Sequence, residues 1–318
     1  MSVREFEDGG QVATVLLVRE AEIRRKRDGA EFLKLMLGDR TGSVPAVMWD
    51  GVADCRDLAA VGDVVHVTGR FGQHSRYGGQ LVIESLRAPE RHEISLDELL
   101  DGPARDPDHM ARDLRELIGT VQNHHLRGLL GRLLGDGSEM WSRYCEAPAA
   151  KYYHQAYKHG LLEHCLSVAE GVSTISATFP GIDRDVAVTG ALLHDIGKLD
   201  AYTSDPRAID LTDAGRLQGE IPLGYYRVRR TIEELPGFPS DLAQAVLHIV
   251  LSHHGALEHG SPVVPCTREA TLVHMIDNLG GRLGSFDRLE KALPDGAQWS
   301  AFDRAIGAGA YFAAREAA

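Results

Sequence analysis

The chain has 318 residues, 43% of them apolar and 25% charged, which is ordinary for a soluble globular protein of about two domains. A formal net charge of −12 argues against a protein that coats duplex DNA by bulk electrostatics, while leaving room for a local binding groove. No run of 18 apolar residues occurs, so no transmembrane helix and no membrane partner are expected.

The first ten residues carry Glu5, Glu7 and Asp8 and no apolar core, unlike a secretory signal. Cys55, Cys145, Cys165 and Cys266 form no CxxC pair and read as reduced thiols of a cytoplasmic protein.

Residues 1–90 read as strands. Runs at 12–18, 32–37, 44–49, 63–71 and 80–86 are short and apolar, and Leu33, Leu35 and Leu37 alternate onto one face. Asp28-Gly29, Asp39-Arg40-Thr41-Gly42 and Tyr77-Gly78-Gly79 supply turn chemistry between them. Five such strands suit a small closed barrel.

The segments from Asp28 to Leu33, from Leu37 to Val44 and from Met48 to Asp50 resemble an OB-fold of the anticodon-binding type. That resemblance implies a single-strand-binding surface. Arg24, Arg25, Lys26 and Arg27 would form a basic loop between the first two strands, with Trp49, Phe71 and Tyr77 stacking bases. The alternative puts Trp49 and Phe71 in the barrel core and makes the basic run a solvated hairpin tip.

Residues 91–150 read as a linker around Gly102 to Pro107, followed by leading helices. Met110, Leu114, Leu117, Ile118 and Val121 recur at helical spacing, as do Leu126, Leu129, Leu130, Leu133 and Leu134. His124-His125 reads as a surface pair.

Residues 151–318 read as an all-helical domain. Leu161, His164, Cys165 and Val168 share a helix face, so His164 points inward. Alone it reads as a core histidine. A second helix begins near Asp183 to Asp185 and runs to His194-Asp195, with Gly197 expected to end it. Its small residues Ala187, Gly190 and Ala191 would let another helix approach closely. A third helix from Asp241 runs into His253-His254-Gly255. A fourth, capped by Thr267, carries Ala270, Val273, His274 and Asp277 on one stripe. Four helices thus each deliver a His or Asp to an inner face, where a buried charge requires a partner or a metal. Arg227, Arg229 and Arg230 read either as a strand-tracking cluster or as a solvated face. Residues after about Arg282 are expected to be helical, with Phe302, Ile306, Tyr311 and Phe312 packed on the body.

The order His, His-Asp, His-His, Asp, with "LLHDIGK" itself, resembles the HD superfamily of metal-dependent phosphohydrolases. "HQAYKHGLLEHCLSVAE", "ALLHDIGK" and "IVLSHHG" behind an OB-fold resemble the YhaM-like 3′→5′ exoribonucleases. The resemblance implies one ion held by His164, His194, Asp195 and Asp277. It implies a second held by Asp195, His253, His254 and one further residue. The family commonly has a His there, in a Gly-His-Ile context, whereas this chain has Gly219-Glu220-Ile221. Glu220 would either ligate a hard ion well or weaken the second site, so a single-metal alternative stays open.

The implied chemistry is hydrolysis of single-stranded RNA, or also single-stranded DNA, by metal-activated water. Asp195 would bridge the ions and Lys198 would contact a phosphate oxygen, unless Lys198 is a surface residue at a helix end. Mixed nitrogen and oxygen donors suit Mn²⁺ first, with Mg²⁺, Co²⁺ or Fe²⁺ also compatible. Tyr152, Tyr153 and His154 would line the substrate entrance. Two rival functions are an HD-type hydrolase of nucleotides or cyclic nucleotides, and a non-catalytic single-strand-binding protein. Oligomeric state is not legible.

Overall fold

The computed structural model describes residues 1–26, 28–74, 78–151, 155–291, 293 and 296–313, with the side chains of Asp54 and His74 left aside. The chain divides into two units, Met1–Asp101 with Asp205–Ala208, and Gly102–Ser204 with Ile209–Ala318. The first unit therefore runs to Asp101, past the expected boundary at residue 90.

Period-two patterning builds the first unit. Strands β1 (Gln11–Arg25), β2 (Glu31–Asp39), β3 (Gly42–Met48), β4 (Val64–His74) and β5 (Gly78–Arg87) close a barrel in the order β1-β2-β3-β5-β4. All neighbours are antiparallel except β3 and β5, which run parallel. Leu33, Leu35 and Leu37 point into the core with Leu16, Val18, Val44, Val65, Val67, Leu81 and Ile83. The β2–β3 turn is held by the Asp39 carboxylate. It accepts from the Thr41 backbone N–H at 2.7 Å, the Thr41 hydroxyl at 2.6 Å and the Gly42 N–H at 3.1 Å. β1 is much longer than its apolar run, because Glu20 to Arg25 continue the ladder against β2. Two short α-helices, α1 (Val52–Cys55) and α2 (Leu96–Leu99), and three 3₁₀ turns at Val3–Glu5, Arg56–Leu58 and Arg91–Glu93 also belong to this unit.

The second unit is helical. Its elements are α3 (Pro107–Gly119), α4 (His124–Leu134), α5 (Trp141–Glu146), α6 (Gly160–Ser176), α7 (Arg184–Leu193), α8 (Lys198–Ala201), α9 (Asp213–Gln218), α10 (Glu220–Glu233), α11 (Ser240–Ser252) and α12 (Arg268–Lys291). Caps set several of the starts. Asp106 precedes Pro107, Asn123 accepts from His125 and Leu126, Asp183 accepts from Asp185 and Val186, and Thr267 accepts from Ala270. One hydrophobic core joins α3, α4, α6, α7, α11 and α12, so the leading helices are part of the same packing unit as the site. Helix α6 is apolar on nearly every side and lies buried accordingly. At Gly190 a Cβ would come 2.4 Å from the Ile249 side chain, which explains the small residues of α7 facing α11.

Two expectations need correction. Helix α7 ends at Leu193, with His194 as its cap, and Gly197 keeps right-handed helical angles (φ −68°, ψ −17°). Gly197 is required for a close approach: a Cβ there would sit 1.9 Å from the Glu220 carbonyl oxygen. The end of the chain is likewise not a helix, although Phe312 packs against Phe286 of α12 and Asp303 accepts from Arg288. Among the described residues beyond Lys291 there are isolated bridges, Trp299 to Tyr311 and Asp303 to Ala308. Phe302 and Tyr311 are largely exposed. Gly307, at φ +77°, lies in the turn between the bridged segments, a conformation that a continuing helix excludes.

Candidate metal centre

Four helix ends and faces deliver the polar residues to the interior of the helical unit. His164 projects from the second turn of α6. His194 and Asp195 occupy the turn after α7, His253 and His254 the end of α11, and Asp277 the inner stripe of α12. His164, His194, Asp195 and His253 are all buried.

The donor atoms form two groups, His164, His194 and Asp277 in one and Asp195, His253 and His254 in the other. In the first, His164 Nε2 lies 3.1 Å from His194 Nε2 and 3.2 Å from Asp277 Oδ1. Asp195 Oδ2 is 3.2 Å from His164 Nε2 and 3.4 Å from His194 Nε2. Donors each about 2.1 Å from one ion are about 3.0 Å apart at octahedral angles and about 3.4 Å apart at tetrahedral angles. The observed spacings fall in that interval. The other oxygen of Asp195, Oδ1, faces His253 Nε2 at 3.5 Å. One carboxylate therefore presents one oxygen to each group.

The histidine protons are assigned by their acceptors. Nδ1 of His194 donates to the Ala191 carbonyl at 2.6 Å, Nδ1 of His253 to Val250 at 2.9 Å, and Nδ1 of His254 to His259 at 3.0 Å. His164 Nδ1 donates to the Gln155 side-chain oxygen at 3.1 Å. Each Nε2 is thereby left with its lone pair aimed at the centre, as metal-binding imidazoles require. Two such nitrogens facing each other at 3.1 Å repel unless a cation or a proton lies between them. Among the described residues, Asp195 Oδ1 and His253 Nε2 are buried with no hydrogen-bond partner. These orphaned atoms and the mixed nitrogen and oxygen donors fit a divalent metal.

Without metal the charges compensate one another. Burial pulls the His164 imidazole down, but Asp195 and Asp277 outweigh it and lift it to about 9. Burial lowers His194 to about 4. Burial raises Asp195, yet Lys198 and His194 hold it well below the carboxylate range. Asp277 is lowered as well, because His164 overcomes its burial. Lys198 is no surface lysine: its ammonium, largely buried, donates to Asp195 Oδ2 at 2.6 Å.

Glu220 opens α10 beside the second group, with Oε1 3.8 Å from His254 Nε2. Two further residues orient ligands, a role the sequence reading gave to neither. Gln155 fixes His164, and its own amide donates to Glu163 at 3.4 Å. His274 donates from Nδ1 to the His253 carbonyl at 2.7 Å, in space left by Gly255. Gln155 stood inside the quoted motif, but only the fold shows what it touches. Tyr152, Tyr153 and His154 lie outside the described residues.

On the barrel, Trp49 is 42% exposed and packs against Phe32 at 4.8 Å between centroids, the rings tilted by 31°. Lys26 sits 5.3 Å over the Trp49 ring and donates to its carbonyl. Arg24 and Arg25 belong to the end of β1 rather than to a loop, and are paired with Glu22 and Glu31. Phe71 is a correction: it is buried in the barrel core against Phe6, because its position on β4 faces inward, so it offers no face to a base. Arg27 and Tyr77 lie outside the described residues. His124 is exposed and His125 half-buried against Phe238. Arg229 pairs with Glu233, Arg230 with Glu234 at the helix cap, and Arg227 with Asp200.

The HD domain family model matches residues 161–281, and that of the OB-fold nucleic acid binding domain matches residues 18–89. The chain is 31% identical over 291 residues to the 3′-5′ exoribonuclease YhaM of Geobacillus sp. (strain WCH70), covering 91% of this chain and 88% of that protein. It is 30% identical over 294 residues to YhaM of Bacillus pumilus, covering 92% of each. With YhaM of Bacillus subtilis it shares 30% over 290 residues, or 91% of this chain and 90% of that protein.

Proposed function

The chain belongs to the family of the 3′-5′ exoribonucleases YhaM, and from that premise we propose that it removes nucleotides from the 3′ end of single-stranded RNA at a centre of two divalent ions. The observation that carries the reading is Asp195. Its two oxygens face two separate sets of ligand atoms, and Oδ1 is buried with no hydrogen bond. His164, His194 and Asp277 would hold one ion, His253 and His254 the other, and Asp195 both. Mn²⁺ suits this donor set.

Bound divalent ions neutralise the phosphodiester and lower the pKa of bound water toward neutrality. The protein's own contribution is placement. The four Nδ1–H bonds lock each imidazole in the tautomer that offers Nε2. Lys198 holds Asp195 in place, and its ammonium would stabilise charge developing on a non-bridging oxygen of a phosphate bound at the centre. The OB-fold supplies single-strand binding, with Trp49 as the exposed aromatic residue and the Lys26 ammonium over its ring.

The test uses 5′-labelled single-stranded RNA, single-stranded DNA and free nucleotides with Mn²⁺. A ladder of products shortened stepwise from the 3′ end of RNA is expected, abolished in Asp195→Ala. Internal cleavage, turnover of free nucleotides alone, or RNA binding with no Asp195-dependent turnover would each contradict the reading.

A further inference from the structure

Tyr202 caps α8 four residues after Lys198 and is half-buried. Its backbone N–H donates to the Lys198 carbonyl at 3.1 Å. Four residues of helix rise about 6 Å and return to the same face, so Tyr202 leaves α8 on the side of Lys198. An antiparallel bridge pairs Tyr202 with Leu211, and the neighbouring Asp210 accepts from the Lys151 ammonium at 2.7 Å. Tyr202 therefore stands between two lysines, one at the metal centre and one beyond it. Burial raises its phenol, which keeps its proton near neutral pH, and the charged groups acting on it are Lys198, Glu220, Asp195 and Lys151.

The frame around Tyr202 is fixed. The Thr203 N–H donates to the Asp210 carbonyl at 2.8 Å, the Asp210 N–H to the Thr203 hydroxyl at 2.9 Å, and the Thr212 hydroxyl to the Asp200 carbonyl at 2.6 Å. Arg143 of α5 and Arg227 of α10 both pair with Asp200, which anchors α8 from two further helices. Among the described residues the Tyr202 hydroxyl itself forms no hydrogen bond. A firmly held ring with an unused donor and acceptor, next to the centre, is suited to a ligand.

We propose that Tyr202 reads the sugar of the strand, its hydroxyl bonding the 2′-hydroxyl of the ribose on the 5′ side of the scissile phosphate. The inference rests on the exoribonuclease reading above, in which Lys198 lies at that phosphate. The side follows from charge. Lys151 lies beyond Tyr202, and a cation there has a phosphate to meet only upstream, because the 3′-terminal nucleotide ends in hydroxyls. The two ammoniums bracket one nucleoside as successive phosphates of a single strand do. The 2′-hydroxyl is the group by which a protein tells RNA from DNA at a given position, so Tyr202 is a specificity-determining residue.

Three 5′-labelled oligomers of one sequence test this with Mn²⁺: all-ribose, 2′-deoxy at the penultimate nucleotide, and 2′-deoxy at the last. The first cleavage is timed for wild type and Tyr202→Phe, with melting temperatures read alongside. Wild type is expected to lose about threefold to tenfold in kcat/KM on the penultimate deoxy oligomer, the worth of one hydrogen bond. Tyr202→Phe should lose that factor on the all-ribose oligomer and no longer distinguish the two. A variant that slows all three oligomers equally and keeps the discrimination would reduce Tyr202 to a structural role and overturn the proposal. Wild type indifferent to the penultimate 2′-hydroxyl, or penalised only at the last nucleotide, would overturn it without recourse to the variant. No stepwise shortening of any oligomer by wild type would instead overturn the exoribonuclease reading itself.

Discussion

Lys198 Nζ lies 2.6 Å from Asp195 Oδ2, and the Asp195 side chain it holds is 2% exposed. The pair is the main charge compensation of Asp195 before metal binds. Removing one partner of a buried pair leaves an uncompensated charge, at a cost of about 3–5 kcal/mol. Lys198→Met should therefore lower the melting temperature of the metal-free protein strongly. Mn²⁺ should restore more stability to this variant than to wild type, because the ion takes over the role of the ammonium. Equal Mn²⁺-induced shifts in the two proteins, read by calorimetry, would remove Lys198 from the centre.

Gly197 admits the start of α10 against the turn that carries His194 and Asp195. Its close neighbours are backbone atoms of Glu220 and Gly224, which cannot swing aside as a side chain could. Gly197→Ala should destabilise the fold by about 1–3 kcal/mol or more through overpacking. It should also weaken Mn²⁺ binding, since both flanking ligands move. Chemical denaturation and metal titration of the variant measure the two effects. An unchanged midpoint would contradict the packing argument.

The two facing imidazoles of the first group titrate in opposite directions. With metal removed, His164 is raised from its ordinary 6.5 to about 9, burial being outweighed by Asp195 and Asp277. Its contribution to stability is thus full below 6.5 and is lost as pH rises through about 9. His194 is lowered to about 4 by burial, so its contribution is present above 6.5 and is lost as pH falls through about 4. The metal-free protein should lose stability on both sides of neutrality. Metal displaces the His164 proton, so Mn²⁺ affinity should climb with pH up to about 9, with proton release on binding. Titration of the histidine ring signals by NMR, alongside Mn²⁺ calorimetry in buffers of different ionisation heat, reads both.

Trp49 and Phe71 divide what the sequence had grouped together. Trp49→Ala should leave the barrel folded and weaken binding of single-stranded RNA by about 1–3 kcal/mol, the worth of one stacked base. Phe71→Ala empties part of the core and should cost about 3–5 kcal/mol of barrel stability. Fluorescence anisotropy with labelled RNA and thermal denaturation separate the two outcomes. Trp49→Ala with unchanged affinity would move the binding surface elsewhere.

What was legible in the sequence follows from how local each signal is. Strand alternation at Leu33, Leu35 and Leu37 and the Asp39 turn need only neighbours along the chain, and both appear as expected. The metal-ligand candidates were legible because a His or Asp recurs on the inner face of four helices, although His164 alone reads as a core histidine. The end of α7 was misread because Gly197 looked like a helix terminator. Its real constraint is α10, more than twenty residues along the chain, and no local pattern reports that. The roles of Gln155 and His274 were not legible for the same reason, since they exist only once α6, α11 and α12 are packed. Phe71 was ambiguous because an inward and an outward aromatic differ by one step of register. Beyond Lys291 the aromatic spacing suggested packing, which holds for Phe312 against Phe286 of α12, whereas Phe302 and Tyr311 face solvent.

The central claim is that Asp195 stands between two divalent ions. Anomalous diffraction from crystals grown with Mn²⁺ tests it most directly. Two peaks are predicted about 3.5–4 Å apart, one against His164, His194 and Asp277 and one against His253 and His254, with the Asp195 carboxylate between them. Mn²⁺ bound elsewhere, or no peak within bonding distance of Asp195, would contradict the account.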